Sequence, residues 1–326
     1  MLAKSRTIRV NGTAVRQTPL LVPSISSRAV PNARVADLLE FAASLIADEI
    51  LISAYDVYFH QTPANLTFPS LVVVDSGGYE ASCNRDLSEV TPTGTSPQSW
   101  SKTQYEEVLS RISFGVPTVL VSFDHPARSI PIEDQVSEAV DLFARFPQAA
   151  GNILLKPSPG DGGFLCVDRI VSKVELLAPF AVIGMTEKEL GNSLMERLLN
   201  LARLRRALTA VGLDTPLHVF GSLDTVLPPL YFLAGADVFD GLTWLRYAFR
   251  EGQTVYAMSH AAQSLSPDTN DSDAFPRIWS ENYFELIRLQ ESMRLFAQSG
   301  RYSSFRYHQD FYQKMLHTLT TALEGI

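Results

Sequence analysis

Two aspartates in this chain sit where a carboxylate can do chemistry. In Val72-Val73-Val74-Asp75-Ser76-Gly77-Gly78-Tyr79, and again in Val238-Phe239-Asp240-Gly241, a short apolar run ends on an aspartate, and glycine follows at once or one residue later. This is the pattern of a buried parallel strand that delivers a carboxylate to the mouth of an α/β fold. Two such groups can act as a nucleophile and a proton shuttle. Gly77 and Gly78 would let the backbone approach a flat ligand closely, and Tyr79 offers an aromatic face for stacking. The plainer alternatives are a turn in which Asp75 accepts local backbone bonds and a cap at Asp240 with Arg246 as a surface charge. Asp237 reads as the polar start of the strand.

Asp124, in Phe123-Asp124-His125-Pro126, could accept hydrogen bonds from the amino edge of a ligand. His125 is a general base by type, but beside proline it reads more simply as a loop residue. Gly160-Asp161-Gly162-Gly163 and Gly151-Asn152 fit neither a P-loop nor a dinucleotide fingerprint, and read as ordinary loops. Arg203, Arg205, Arg206, Arg246 and Arg250 could touch phosphates, although several arginines on one helix usually make a solvated face.

The elements that would position these groups follow from periodicity. Asn11-Gly12 between Arg6–Val10 and Thr13–Arg16 predicts an N-terminal hairpin. Strands are expected at Glu49–Tyr55, Leu71–Val74, Pro117–Asp124, Asn152–Lys156, Phe180–Met185, Leu217–Gly221 and Asp237–Asp240. Helices are expected at Val35–Ala47, Tyr105–Ser113, Ile132–Phe146, within Thr186–Val211, and up to Leu233. Glu80–Ser99 reads as a flexible polar loop. Alternating strands and helices imply a parallel sheet, and about eight strand candidates favour a (β/α)8 TIM barrel over residues 1–262. A polar break at Gln263–Pro276 leads to a C-terminal helical segment (263–326), with helices at Glu281–Gln298 and Phe305–Leu323. Asp75, Asp124, Lys156, Gly184, Gly221 and Asp240 all fall at C-terminal strand ends, where such barrels keep their active groups.

The chain has 326 residues, 46% of them hydrophobic, which suits one large α/β domain rather than a disordered chain. Its formal charge of −8 argues against indiscriminate nucleic-acid binding. Cys83 and Cys166 are too few and too far apart for a disulfide framework or a metal site. Both are expected as reduced thiols in a cytoplasmic protein. The N-terminus has no apolar core of signal-peptide length, and no apolar run approaches a membrane span.

In order and context, these pieces resemble the tRNA-guanine transglycosylase family, whose members exchange a guanine in nucleic acid for a 7-deazaguanine derivative on a (β/α)8 barrel. Asp75-Ser76-Gly77-Gly78-Tyr79 looks like the family's Asp-Ser-Gly-Gly-Phe, which implies that Asp75 is the general acid/base and that Tyr79 stacks on the base. Phe123-Asp124 looks like the Phe-Asp that binds the pyrimidine-ring edge. Ile183-Gly184-Met185 is similar to a Gly-Gly-Leu that adds backbone contacts, and Phe220-Gly221 to a Met-Gly that shapes the ribose and base pocket. Phe239-Asp240, with Arg246 in register, resembles the nucleophile and an arginine six residues on. His308–Met315 resembles the family's last helix.

Three departures stand out. No cysteine follows Cys166, so the family's Cys-x-Cys-x-x-Cys zinc site cannot exist here. Lys156 stands near a family glutamine and offers only donors. Ile183 replaces a glycine and would narrow the pocket or alter a backbone contact. The resemblance implies a base exchange on tRNA or DNA through a covalent Asp240 intermediate, with no cofactor, and leaves room for a homodimer or a partner protein. The two carboxyl groups would face each other at roughly 5–8 Å, as in glycosidases. The alternatives are an N-glycosidic hydrolase on nucleosides or modified nucleic acid, and a non-catalytic partner subunit of a transglycosylase.

Overall fold

The computed structural model describes residues 2–30, 33–60, 62–83, 86–89, 96–124, 128–266 and 268–325. The chain opens with an antiparallel hairpin, β1 (Thr7–Val10) and β2 (Thr13–Gln17). Asn11 and Gly12, both at positive φ (47° and 79°), make its two-residue turn. Eight parallel strands then close into a barrel. They are β3 (Leu20–Ile25), β4 (Glu49–Ser53), β5 (Leu71–Asp75), β6 (Thr118–Val121), β7 (Ala150–Leu155), β8 (Val182–Thr186), β9 (Leu217–Phe220) and β10 (Val238–Gly241). Helices α1 (Val35–Leu45), α2 (Ala54–Phe59), α3 (Lys102–Ser110), α4 (Ile132–Ala144), α5 (Val167–Val171), α6 (Leu194–Ala210) and α7 (Leu227–Leu233) lie between them in sequence. After β10 come α8 (Thr243–Arg246), a small hairpin of β11 (Ala248–Arg250) and β12 (Gln253–Val255), and then α9 (Ala257–Ser264), α10 (Asp271–Ser299) and α11 (Gln309–Glu324). The architecture is a (β/α)8 TIM barrel.

The period of two along each strand decides which residues reach the site. In β5, Val72 and Val74 join the core under the helices, while Leu71 and Val73 point inward and Asp75 follows them in phase. In β10, Phe239 faces the helices, and Val238 and Asp240 face inward. The interior is apolar low in the barrel (Leu20, Leu71, Ala150, Val182, Val238) and turns polar toward the C-terminal strand ends. Ile8, with Val10 and Val15, packs into this inner cluster, so the hairpin plugs the N-terminal end.

Barrel closure runs between the first and last strands, with Val238 beside Leu20 and Asp240 beside Val22. A buried charge cluster braces this seam. Asp237 is fully buried and accepts from Arg6 Nη1 (2.9 Å), Arg205 Nη2 (2.6 Å) and the Leu217 N–H (2.8 Å). Asp237 is therefore more than the polar start of a strand, and Arg205 is not on a solvated face. The guanidinium is buried because Leu201, Leu204 and Leu208 share its side of α6.

The C-terminal helices share the barrel's core through Trp279, Tyr283, Leu286 and Phe296. Asn282 accepts the Phe249 N–H (2.6 Å) and donates to the carbonyls of Trp244 and Tyr247 (both 2.7 Å), and Gln290 accepts the Leu21 N–H (2.5 Å). Three expectations need correction. β3 was not among the expected strands. The strand at Glu49 gives way to α2 at Ala54. The break before the C-terminal segment is shorter than Gln263–Pro276, because α9 runs to Ser264 and α10 begins at Asp271 with Pro276 inside it. Asn270 caps α10 by accepting the Asp273 N–H at 3.0 Å. No helix among the described residues is long and apolar enough to cross a membrane.

Candidate active site

At the C-terminal strand ends a cavity of about 420 Å³ opens, and both Asp75 and Asp240 line it. The Asp240 carboxylate is held on both oxygens. Ser24 Oγ of β3 donates to Oδ2 (2.8 Å), and His218 Nε2 of β9 lies 3.0 Å from Oδ1. His218 is fully buried and stacks on the Phe220 ring at 3.8 Å. Its other nitrogen, Nδ1, lies 3.0 Å from Asn152 Nδ2 of β7.

Asp75 is in a different electrostatic setting. Among the described residues it accepts only the Gly77 N–H (3.1 Å). Burial, then the neighbouring Glu80 carboxylate, with further repulsion from Asp240 and Asp124, pushes its carboxyl up to about 7. Glu80 is itself buried, accepting from Ser26 Oγ (2.5 Å) and Ser53 Oγ (2.8 Å). One carboxylate pinned by donors and another kept ready to exchange a proton near neutrality is how environment divides two like groups between roles.

Several other expected residues meet here. Ser76 Oγ accepts the Asp124 N–H (3.3 Å), and Gly78 lies so close to Asp124 that a Cβ would stand 2.8 Å from Oδ2. Lys156 Nζ contacts Asp124 Oδ2 (3.3 Å) and Glu189 Oε1 (2.8 Å). Burial works against its charge, yet these two carboxylates hold the ammonium above its ordinary value. Phe220 and Gly221 line the cavity. Tyr79 lines it too, but one side of its ring carries the Arg28 guanidinium at 4.0 Å, and its hydroxyl donates to Glu89 Oε2 (2.6 Å). The Gly160–Gly163 loop lines the cavity as well, so it is more than an ordinary loop.

Five expected residues are placed elsewhere. Ile183 and Met185 point to the outer side of β8 and pack in the core under the helices, so Ile183 does not narrow the cavity. Gly184 faces inward beneath the lining, where a Cβ would stand 2.5 Å from the Phe220 ring and 2.9 Å from Asn152 Oδ1. Gly77, at φ +85°, turns the chain against Tyr55 and Trp100. Arg246 is spent on a clamp. It bonds Asp86 (2.9 Å), Ser88 Oγ (2.7 Å), the Tyr79 hydroxyl (3.0 Å) and the carbonyls of Arg28 (2.7 Å) and Ala29 (3.1 Å).

The other arginines have partners of their own. Arg203 pairs with Asp168, Arg206 bonds the Leu323 carbonyl, and Arg250 bonds Ser264. In the segment expected to be a loose loop, Glu89 is buried and paired with Arg28 (2.8 Å). His125 lies outside the described residues. Among the described residues, no cluster of three or more His, Cys, Asp or Glu side chains is arranged to hold a metal ion.

No protein-family model matches the sequence, and no curated protein matches it. The functional reading therefore rests on the site. Sequence reasoning missed Ser24, Glu80, Asn152, His218 and Glu189: Ser24 and His218 reach Asp240, Asn152 reaches His218 and Glu189 reaches Lys156 only when the barrel closes, while Glu80 sits in the loop just after Asp75. For His218 and Asn152 a signal existed, since both fall on inward positions of strands otherwise filled with apolar residues.

Proposed function

We propose that this protein is a guanine transglycosylase that exchanges a guanine base in nucleic acid, tRNA or DNA, for a 7-deazaguanine derivative through a covalent Asp240 intermediate. The observation that carries the reading is the division between Asp75 and Asp240 within one cavity. In the first half-reaction an Asp240 oxygen bonds to C1′ of the ribose as the C1′–N bond breaks. The electron pair leaves with the base, and protonated Asp75 supplies its proton. In the second, the Asp75 carboxylate takes a proton from the incoming base, whose nitrogen attacks C1′ and releases Asp240. A carboxyl near 7 can serve in both directions at neutral pH. Asp124 and Lys156, at the cavity wall, would read the base edge, and the exposed side of Tyr79 would support the ring.

A second reading, hydrolysis of a nucleoside, is favoured by one specific observation. Among the described residues, seven carboxylate side chains and three basic ones line the cavity, a balance that repels phosphates. Incubation with tRNA and with DNA, each with labelled guanine, tests the first reading: label enters nucleic acid, and Asp240→Ala abolishes incorporation. Full incorporation by Asp240→Ala overturns the covalent assignment. Free base released from a nucleoside without any incoming base moves the assignment to hydrolysis.

A further inference from the structure

Asp240 is the end of a buried polar chain that begins at Asn152 and runs through His218. Asn152 and His218 are both fully buried, and Asp240 nearly so. An amide NH₂ can only donate. With the amide in the orientation that places Asn152 Nδ2 3.0 Å from His218 Nδ1, Nδ1 is the acceptor and carries no proton. The imidazole proton is then on Nε2, aimed at Asp240 Oδ1 across 3.0 Å.

The arrangement has a visible cost. Among the described residues Asn152 Oδ1 is buried without a hydrogen-bond partner; with the amide turned over, the oxygen would face Nδ1 and require a proton there, and the NH₂ would take the unpartnered position. That alternative would place an imidazolium against Asp240. The space around the chain is also reserved: Gly184 leaves room for the Phe220 ring and for Asn152 Oδ1, and Phe220 lies flat on the imidazole. Buried polar groups left unsatisfied call for an explanation, and keeping a neutral donor beside the nucleophile supplies one.

We propose that His218, locked by Asn152 as the tautomer protonated on Nε2, is a positioning residue for Asp240. Together with Ser24 it fixes the plane of the carboxylate. A neutral donor leaves Asp240 its negative charge for attack on C1′, whereas an imidazolium would neutralise it. The same hydrogen bond stabilises the carboxylate as it leaves C1′ in the second half-reaction. The inference rests on the nucleophile assignment for its activity readout, but the tautomer can be measured without it.

The test uses the full chain with ¹⁵N-labelled histidine, with the His218 signals assigned by their loss in His218→Gln. The expected spectrum has Nδ1 unprotonated and Nε2 protonated, and Asn152→Asp converts His218 to the doubly protonated form. A protonated Nδ1 in the wild type, or no response to Asn152→Asp, overturns the lock. In base exchange, His218→Gln keeps an amide donor near the Nε2 position and should stay within a few-fold of wild type. His218→Leu should lose on the order of 10- to 100-fold in kcat, with KM for the incoming base unchanged. Equal losses in two folded variants, or an effect on KM alone, would overturn the positioning role. Failure of the transglycosylase reading looks different: the wild type itself incorporates no guanine, and the nitrogen shifts alone then decide the tautomer.

Discussion

Replacing Asp75 by asparagine should remove a pH-dependent instability from the fold. The carboxyl rises from 3.8 to about 7 because it is buried beside Glu80. Between those values the folded chain holds a proton that the unfolded chain has released. The contribution of Asp75 is therefore fully present below about pH 4 and is lost as pH rises through about 7. A rise of about three units, at about 1.36 kcal/mol each, sets an upper bound of about 4 kcal/mol. Partial solvation at the cavity mouth reduces this to roughly 2–4 kcal/mol. Asparagine has the same shape and does not titrate, so the stability difference between variant and wild type should grow by that amount from pH 4.5 to pH 8.5. Unfolding entropy in a chain of this length is about 0.7 kcal/mol per kelvin, so the gap in Tm should widen by about 3–6 °C. Thermal melts of both proteins across the range measure it directly. Asp56 and Glu187 are also raised, mainly by burial, but they titrate in both proteins and cancel in the difference. Parallel Tm curves would show that Asp75 is not held as a proton carrier, and the acid/base role would fall with them.

Gly184→Ala should cost about 1–3 kcal/mol by overpacking, because the methyl meets the Phe220 ring at 2.5 Å; a denaturant melt reads the loss, and base exchange should weaken with it. Asp237→Ala takes from the buried Arg205 its carboxylate partner and leaves Arg6 only Asp214, and should destabilise the chain by about 3–5 kcal/mol, a fall in Tm of several degrees. Arg246→Lys keeps the charge but cannot reproduce the fork that holds Asp86, Tyr79 and two carbonyls. KM for the incoming base should rise while Tm falls by little, and an unchanged KM would remove Tyr79 positioning from its role.

Local pattern was enough to find the two aspartates, because Val-Val-Val-Asp and Val-Phe-Asp carry both the burial and the inward phase of their strands. It was not enough for β3. Pro23 interrupts Leu20–Ile25, and a proline inside an apolar run argues against a strand, yet here the run pairs on both sides. Arg205 sits among arginines and looks solvated until the helical spacing of Leu201, Leu204 and Leu208 is weighed. Asn152 and His218 lie far from Asp240 in the chain, and the contacts that link the three exist only in the closed barrel, whereas Glu80 follows Asp75 closely but falls in a stretch that reads as a polar loop. Ile183 and Met185 show the opposite error: they flank an inward glycine, and strand alternation sends both away from the site.

The seam between β3 and β10 also bears on synthesis. One edge of β3 acquires its neighbour only when residue 238 arrives, because Leu20 pairs with Val238. At about 5–20 residues per second, a ribosome needs roughly 10–45 s to cover that interval. Throughout it, Leu-Leu-Val presents bare amides and apolar side chains to any other nascent strand, a template for mispairing. Pro23, which hides the strand from a reader of the sequence, lacks an amide proton on the side that faces β4, so the edge awaiting β10 keeps its Leu20 amide free until Asp237 arrives.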